Sequence, residues 1–483
     1  MVTAPVETEL KLEYQHADLA GLLAQLGRLA QAGACLSLET AYFDTPERDL
    51  ARAGYCLRVR REGERVVQTI KPLATGSAGL FTRREWETEL PGPRAKIDLR
   101  CGPLRDAIPD LTVERLRPLF KLQVKRHLFR FEEGETLIAV AVDEGRIRAN
   151  RRSEALCELE LEFERGSTQA MFDLARTLHA QTPLHLSVRS KAERGYALAD
   201  GAMKAAAHAE PVVLDPAITA AAAFPIIASA CLKQFRANES LLAGADSVEA
   251  LHQARVGLRR LRTAITLFRS LFVGDPERAA LSARLRRLAA DLGEVRNIDV
   301  LMTQPELPQD QLASARAKAM AQVLAELGQS QTRLLMIDLA RWLAIGAWTH
   351  SAATSPGVTP FATHVLKTCR KRLRKRGRRL GRLSHEERHD VRIAAKKLRY
   401  AIAFFSSLFA GAKAEKRLRR MEKALGKLQA ALGDLNDLHV AQETLAELGI
   451  IIPDEPTADD RKHRLLAQAK ESNRALRRAK PFW

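Results

Sequence analysis

The hydrophobic pattern of this chain changes its period near residue 200, and this change constrains the fold more than any other feature. Before residue 200, apolar and polar residues alternate in short runs, as they do in half-buried β-strands. After about residue 215, apolar residues recur at helical spacing in long stretches rich in Ala, Leu and Arg. The alternating runs are VETELKL, YCLRVRR, VVQTIK, TRREWETEL, LIAVAV, CELELEF and LHLSVRSK. The pattern predicts an α+β domain followed by an all-α domain.

The balance of basic and acidic residues changes at the same place. Residues 1–200 hold 30 Lys and Arg against 30 Asp and Glu, whereas residues 201–483 hold 47 against 28 and carry the whole net charge of +19. This asymmetry indicates a polyanionic partner for the second part, although a solvated basic surface would show the same charge. Six scattered cysteines without a C-x-x-C pair, and no apolar segment long enough for a bilayer, favour a cytoplasmic protein without a membrane partner.

Charged residues share one face of several predicted strands. A solvent-facing sheet would alternate in the same way. Here, however, some strands present only carboxylates and others mainly Arg or Lys, so a barrel with these faces inward would have an acidic wall and a basic wall. The residues of shared parity are Glu7, Glu9 and Lys11; Arg58 and Arg60; Thr69 and Lys71; Arg83, Glu85 and Glu87; and Glu158, Glu160 and Glu162.

Such an interior must bind ions of both signs, because buried charges need partners. Closely spaced carboxylates suit a hard divalent cation such as Mg²⁺. Converging Arg and Lys side chains suit phosphate oxygens. The strand pattern therefore predicts a metal-dependent site for a short polyphosphate.

Residues 5–200 resemble the CYTH superfamily, the triphosphate tunnel metalloenzymes. The signature E-x-E-x-K is present at Glu7, Glu9 and Lys11 and would be weak evidence alone. Seven further elements follow in the order of that family, and the combination is most similar to bacterial inorganic triphosphatases. These elements are YFDT, LRVR, TIK, GLFTRREWE, DEGRI, CELELEF and SKAERGY.

The resemblance implies an eight-stranded antiparallel β tunnel with flanking helices, which hydrolyses inorganic triphosphate with Mg²⁺ or Mn²⁺. Whether Glu162 also ligates metal stays open. A nucleotide- or thiamine triphosphate-processing enzyme is one alternative, and a non-catalytic polyphosphate-binding scaffold is another. By position, the resemblance implies metal ligands Glu7, Glu9, Asp143, Glu158 and Glu160; triphosphate-binding residues Lys11, Arg58, Arg60, Lys71, Arg83, Arg126 and Lys191; and catalytic residues Lys191, Glu9 and Glu160.

The second part of the chain contains an internal repeat. The segment LHQARVGLRRLRTAITLFRSLF, from Leu251, matches RHDVRIAAKKLRYAIAFFSSLF, from Arg388, so the half-repeat is about 140 residues. On a helix, four basic residues of each copy fall within about 80° and lie opposite an apolar face. The two basic stripes are His252, Arg255, Arg259 and Arg262, and His389, Arg392, Lys396 and Arg399. Neither stripe contains a carboxylate, which favours a polyanion-binding surface.

The motif H-x-x-R-V-x-x-R-R-L-R with its second copy resembles the CHAD domain, over about residues 215–445. The resemblance implies an all-helical domain of two pseudo-symmetric bundles that binds inorganic polyphosphate along the two stripes. His252 and His389 could instead cap helix starts. Nucleic acid is the rival partner, but the chain is only 5% aromatic and no aromatic residue interrupts the stripes, which argues against single-strand binding.

The sequence therefore predicts a tunnel domain at residues 1–203, a linker at 204–214, a helical domain at 215–445 and a tail at 446–483. Half-repeats are expected at about 215–310 and 355–445. Asp215 followed by Pro216 predicts the start of the first helix of the second domain. We expect a cytoplasmic enzyme that can associate with polyphosphate granules; the sequence does not indicate its oligomeric state.

Overall fold

The computed structural model describes residues 6–73, 78–92, 97–244, 247–450 and 458–483, without the side chains of residues 350–353 and 458–459. The chain forms two compact units. The first comprises Met1–Ala207 with Leu327–Gly346, and the second His208–Glu326 with Ala347–Trp483. Among the described residues, no helix is both long and apolar enough to cross a membrane.

The first unit is built around an antiparallel sheet, ordered β10-β1-β9-β8-β7-β2-β3-β4-β6, with β5 paired to β1. Strands β5 and β6 follow one another with a break at Glu85. Since β5 pairs with β1 and β6 pairs with β4, this segment joins β1 to β4 and closes the sheet. The strands are β1 (Val6–Glu13), β2 (Gln31–Asp44), β3 (Tyr55–Glu62), β4 (Arg65–Pro72), β5 (Leu80–Arg84), β6 (Trp86–Leu90), β7 (Arg117–Glu133), β8 (Thr136–Ala149), β9 (Arg152–Arg165) and β10 (His185–Leu186).

This architecture confirms the predicted tunnel. When β5 and β6 are taken as one interrupted strand and the two-residue β10 is set aside, eight antiparallel strands form the wall. Six of the seven alternating runs lie in strands. The seventh, LHLSVRSK, is a strand only at its start, because a capping box between Ser190 and Glu193 begins a helix at Lys191.

Helices flank the tunnel and make up the second unit, which is all-helical as predicted. Those of the first unit are α1 (Leu19–Leu29), α2 (Asp49–Arg52), α3 (Leu104–Ala107), α4 (Thr168–His179) and α5 (Lys191–Ala199). Helix α10 (Ser330–Ile345) also belongs to the first unit. The helices of the second unit are α6 (Ala220–Glu239), α7 (Ser247–Leu267), α8 (Pro276–Leu301), α9 (Gln309–Gly328), α11 (Val358–Arg376), α12 (His385–Phe405), α13 (Ala412–Glu447) and α14 (Ala458–Arg478).

An aromatic cluster fills one end of the tunnel beneath α5. The rings of Tyr42 and Phe120 stack at 4.5 Å, and Tyr196 meets Phe120 edge-on at 5.5 Å. The Tyr196 hydroxyl donates to Asp44 Oδ2 at 2.8 Å, while Asp44 Oδ1 accepts from the Leu50 backbone N–H at 2.9 Å. Asp44, the acid of the YFDT motif, therefore connects β2, α2 and α5. These contacts fix α5, whose first residue, Lys191, lies at the tunnel cavity.

Helix α10 packs in the first unit, although it lies within the sequence range predicted for the second domain. Its Asp338 forms an ion pair with Arg176 of α4. His179 Nε2, also on α4, lies 3.0 Å from the Ser330 carbonyl oxygen. Trp342 of α10 is fully buried. This helix therefore covers α4 with apolar surface and polar contacts that the alternating strand pattern does not reveal.

The first helix of the second unit begins later than predicted. Asp215 forms a turn, with its carboxylate accepting from the Ala217 N–H at 2.9 Å, and α6 begins at Ala220 after the cap Thr219. The delay has a tertiary cause, because Ala220 N–H donates to the Pro356 carbonyl at 2.8 Å and Thr219 bridges to residue 357. These contacts hold the chain extended there.

Replacing Gly195 by alanine tests the packing of α5 on the tunnel end. A Cβ at Gly195 would lie 2.0 Å from the Phe120 ring, so we expect the Gly195→Ala variant to lose about 1–3 kcal/mol of unfolding free energy. Gly21→Ala in α1 is the control, because a Cβ there meets nothing within 4 Å. Calorimetry of the full chain should show a lower unfolding temperature only for Gly195→Ala; equal transitions would contradict this packing.

Candidate functional site

The tunnel of the first unit contains a cavity of about 170 Å³ that is lined mostly by charged side chains. They point inward because they share strand parity, as the alternating pattern predicts. The structure brings together most of the predicted site residues at this cavity. The charged lining residues are Glu7, Glu9, Lys11, Arg58, Arg60, Lys71, Arg83, Glu85, Glu87, Arg126, Glu160, Glu162 and Lys191.

Two buried amines lie among the carboxylates of the acidic wall. Lys191 Nζ lies 2.9 Å from Asp143 Oδ2 and 2.7 Å from Glu160 Oε1, and it also pairs with Glu158. Lys11 Nζ pairs with Glu160 and lies 3.6 Å from Glu158 Oε1. Asp143 and Glu158 are fully buried behind the cavity lining. Each amine is therefore held by several carboxylates, which satisfies charges that could not be buried alone.

Arg126 connects the acidic wall to the centre of the tunnel. Its Nε and Nη2 atoms lie 2.7 Å from the two oxygens of Asp143, a bidentate pair, and Nη2 also lies 2.7 Å from Glu160 Oε2. Glu160 thus accepts from Arg126, Lys11 and Lys191. Glu160 is the carboxylate on which the cations of this wall converge.

On the basic wall, three cations share one carboxylate. Glu85 Oε1 lies 2.6 Å from Lys71 Nζ and 3.3 Å from Arg83 Nε, and Glu85 Oε2 lies 3.8 Å from Arg58 Nη2. Arg83 also donates to Glu9 at 2.7 Å. Glu85 was placed on the inward face by its parity but was not predicted as a site residue. Its signal in the sequence is the parity that it shares with Arg83 and Glu87.

The pKa values of the acidic wall follow from these partners. Burial alone would raise the pKa of Asp143, but Lys191 and Arg126 hold it below its ordinary value. Burial likewise opposes ionisation of Glu160, yet Lys11 and Lys191 keep its pKa well below the usual range. Burial raises the pKa of Glu158. Although burial would lower the pKa of Lys191, Asp143 and Glu158 raise it, so this amine stays protonated.

The basic wall shows the opposite balance. Burial and the neighbouring Arg58 and Arg83 lower the pKa of Lys71 to about 8. Burial alone would raise the pKa of Glu85, but Lys71, Arg58 and Arg83 lower it to about 2. At the tunnel rim, burial and the nearby Glu85 raise the pKa of Glu7 to about 7. The basic wall therefore carries more positive charge than its carboxylate neutralises.

Two buried polar atoms indicate which ions the tunnel fits. Within the part of the chain that the structure describes, Glu158 Oε2 and Arg58 Nε have no hydrogen-bond partner. An unpaired carboxylate oxygen suits a cation, and unpaired guanidinium N–H groups suit an anion. No group of three or more His, Cys, Asp and Glu in the described ranges is arranged to hold a metal ion, because Lys11, Lys191 and Arg126 lie between the carboxylates.

In the second unit, the two basic stripes meet at their centres. We call Arg255 and Arg259 of α7 with Arg392 and Lys396 of α12 the central basic cluster. Arg259 Nε donates to the Tyr400 hydroxyl of α12 at 2.6 Å. Burial, followed by the charges of Arg259 and Arg392, lowers the pKa of Lys396 to about 7. Burial and the nearby Arg259 lower the pKa of Arg255 to about 10.

The outer stripe residues contact other helices. Arg399 donates to Gln429 of α13 at 3.0 Å, and His389 Nδ1 lies 2.9 Å from Asn436 Oδ1. Burial and the neighbouring Arg286 of α8 lower the pKa of Arg262. His252 is the sixth residue of α7 and His389 the fifth of α12, so the capping alternative is wrong for both. Their role in binding stays a prediction.

Comparison with known proteins finds a match for each unit. Residues 6–196 match the CYTH domain family model, and residues 226–446 match the CHAD domain model. The chain therefore contains a CYTH domain followed by a CHAD domain, each matched over less than half of the chain.

Individual relatives match parts of the chain. An inorganic triphosphatase of Haemophilus influenzae is 31% identical over 165 residues, which are 34% of this chain and 46% of that protein. The chain thus spans less than half of that relative's length. The CHAD domain from the plant Ricinus communis is 29% identical with a TM-score of 0.43, covering 57% of this chain and 98% of that chain. Hippeastrum HpAC1, with a dominant triphosphatase activity, is 19% identical with a TM-score of 0.32, covering 40% of this chain and 95% of that chain.

Replacing Glu85 by glutamine tests the shared carboxylate of the basic wall. Lys71 and two arginines would lose their buried counter-ion, so we expect the variant to lose about 3–5 kcal/mol of unfolding free energy at pH 7. Glu89→Gln on the following strand, β6, is the control, because the Arg65–Glu89 pair is more than half exposed and contributes at most about 1 kcal/mol. Denaturant unfolding of the full chain measures both; equal losses would contradict the assignment.

Proposed function

We propose that the first unit hydrolyses inorganic triphosphate to diphosphate and phosphate with Mg²⁺ or Mn²⁺, and that the second unit binds inorganic polyphosphate. The observation that carries the first part is the tunnel in which cations and carboxylates face one another at hydrogen-bond distance. The CYTH family match and the inorganic triphosphatase relative support it. The same comparisons make triphosphate a better candidate substrate than a nucleotide or thiamine triphosphate.

In this proposal a triphosphate takes the place of carboxylates as the partner of the basic wall. Arg58, Lys71 and Arg83 already converge on Glu85, and phosphate oxygens offer the same acceptors. The unpaired Nε group of Arg58 is a further donor. Because these side chains lie on neighbouring strands, they bind a phosphate chain at several points and orient it along the tunnel.

The acidic wall offers the carboxylate donors that a divalent cation prefers, although Lys11, Lys191 and Arg126 lie between them in the described residues. Its proposed ligands are the carboxylates Glu7, Glu9, Asp143, Glu158 and Glu160, and one buried oxygen of Glu158 has no partner among the described residues. When bound, the metal would neutralise charge on the phosphate and lower the pKa of a bound water.

Lys191 supplies a fixed positive charge next to this wall. Its raised pKa keeps Nζ protonated, so it acts as a hydrogen-bond donor and charge stabiliser rather than as a base. The first position of α5 and the Ser190 capping box hold it in place.

The second unit binds polyphosphate in this proposal through the central basic cluster. Burial and mutual repulsion lower the pKa values of Arg255, Arg392 and Lys396, which indicates cations closer together than their local carboxylates can neutralise. A phosphate chain relieves this repulsion. We place the enzyme in the cytoplasm, where polyphosphate would localise it to its substrate.

Phosphate release tests the tunnel reaction. We expect selective turnover of inorganic triphosphate with Mg²⁺ or Mn²⁺, and a loss of at least about 100-fold in Glu160→Gln, because this carboxylate would ligate metal and position three cations. Glu132→Gln, in an exposed ion pair of β7, is the matched control. ATP, thiamine triphosphate and long polyphosphate are assayed alongside. Preference for an organic triphosphate, or binding without turnover, would overturn the proposal.

The pH dependence of polyphosphate binding tests the central basic cluster. Lys396, with a pKa near 7 in the free protein, is charged below that pH and neutral above it, so we expect affinity to fall about tenfold between pH 6 and pH 8. Lys396→Arg should flatten this dependence, because arginine stays charged. Binding is measured by fluorescence anisotropy with labelled polyphosphate. A slope unchanged in Lys396→Arg would contradict a role for Lys396.

A further inference from the structure

A second basic pocket lies in the second unit, formed by the turn after α11 and by α14. It is an open groove of about 340 Å³. Six cationic side chains line it, and no Asp, Glu or aromatic residue is among its lining residues. We call it the C-terminal pocket; its cations are Arg378, Arg379, Arg382, Lys470, Arg474 and Arg477.

Packing contacts hold the turn against α14 and leave the six cationic side chains exposed. The Asn473 side chain is buried and donates to the Gly377 carbonyl at 2.7 Å, fixing α14 against the turn. Beyond α14, Phe482 meets the Phe409 ring edge-on at 5.6 Å. At Gly381, an added Cβ would lie 2.0 Å from Lys470 Cε, so the Lys470 side chain lies directly against the turn.

The positive charges of this pocket destabilise the fold, and the packing contacts described above do not depend on them. In the described part of the chain, none of its six cations forms an ion pair, whereas elsewhere in the same unit Arg316 lies 2.6 Å from Asp299. Like charges held close together repel and destabilise the folded state. A bound polyanion would remove this repulsion.

The side chains indicate the class of anion. Five of the six cations are arginines, whose planar guanidinium groups bind phosphate oxygens in a bidentate manner. Proteins that bind single-stranded nucleic acid usually stack bases on aromatic rings, and the pocket provides none. Its chemistry therefore fits a phosphate chain without bases. Helix α14 lies outside both family matches, 6–196 and 226–446.

We propose that the C-terminal pocket is a second binding site for inorganic polyphosphate, separate from the central basic cluster. This extends the polyphosphate binding proposed for the second unit but uses different residues on different helices. With two sites, one chain would bind a long polymer at two points, which increases its apparent affinity through effective concentration.

The experiment measures binding of labelled medium-chain polyphosphate to the full protein, with EDTA present to prevent turnover. All variants are made in a background with the central cluster disabled by Arg259→Gln and Lys396→Gln. The pocket variant carries Arg379→Gln and Arg474→Gln. The control variant carries Lys462→Gln and Arg464→Gln, which remove the same charge from α14 outside the pocket. Circular dichroism verifies that each variant is folded.

We expect the background protein to retain binding that the pocket variant weakens by at least about tenfold and the control variant leaves nearly unchanged. Equal effects of the two variants would overturn the second site, as would the absence of residual binding in the background protein. In the latter case, binding by wild type would still support the central cluster. If wild type binds no polyphosphate, both proposals fall. Equal binding of a short RNA at this pocket would overturn the assigned ligand class.

Discussion

The first unit depends on burying cations and carboxylates together inside a closed sheet. A charged side chain cannot be buried alone without a cost of several kcal/mol, so each must find partners on a neighbouring strand. Glu160 meets this requirement with Lys11, Lys191 and Arg126, and Glu85 meets it with cations of β3, β4 and β5. Closure through the segment from Leu80 to Leu90 makes these contacts possible, because this segment pairs with β1 at one end and with β4 at the other.

The same pairing connects the structure to the proposed reaction. The cations that would bind phosphate are paired with the carboxylates that would bind metal. Phosphate entering the tunnel would therefore bind these cations and release their carboxylates. The two ligands would then favour each other's binding, since each frees partners for the other.

The second unit has a different balance of cations and carboxylates. Its cationic stripes and the C-terminal pocket have few local carboxylates, as expected of surfaces whose counter-ion comes from outside.

Much of the site could be predicted from strand parity. A period of two places Glu7, Glu9 and Lys11 on one face whatever the tertiary fold, and the structure places them at one cavity. The strands β2 and β7 were not predicted by alternation, although Phe120, Leu122 and Val124 do alternate with polar residues. Glu85 shares the inward face, but only the neighbouring strands show that three cations converge on it.

Other features depended on contacts between distant segments. The start of α6 moved from Pro216 to Ala220 because the backbone of residues 356–358 holds the preceding residues extended. The C-terminal pocket joins residues about 90 positions apart, Arg379 and Lys470 among them, and no local pattern reports such a distance.

The sequence by itself determined the two fold classes, the inward face of the strands and the repeated basic stripes, because periodicity and local charge depend only on neighbours along the chain. The tertiary structure alone decided which carboxylate holds which cation and which parts of the stripes meet. It also decided that α10 packs on α4 and that α14 completes a basic pocket. These outcomes depend on sheet closure and helix packing, which bring together residues whose separation along the chain carries no information about their distance in space.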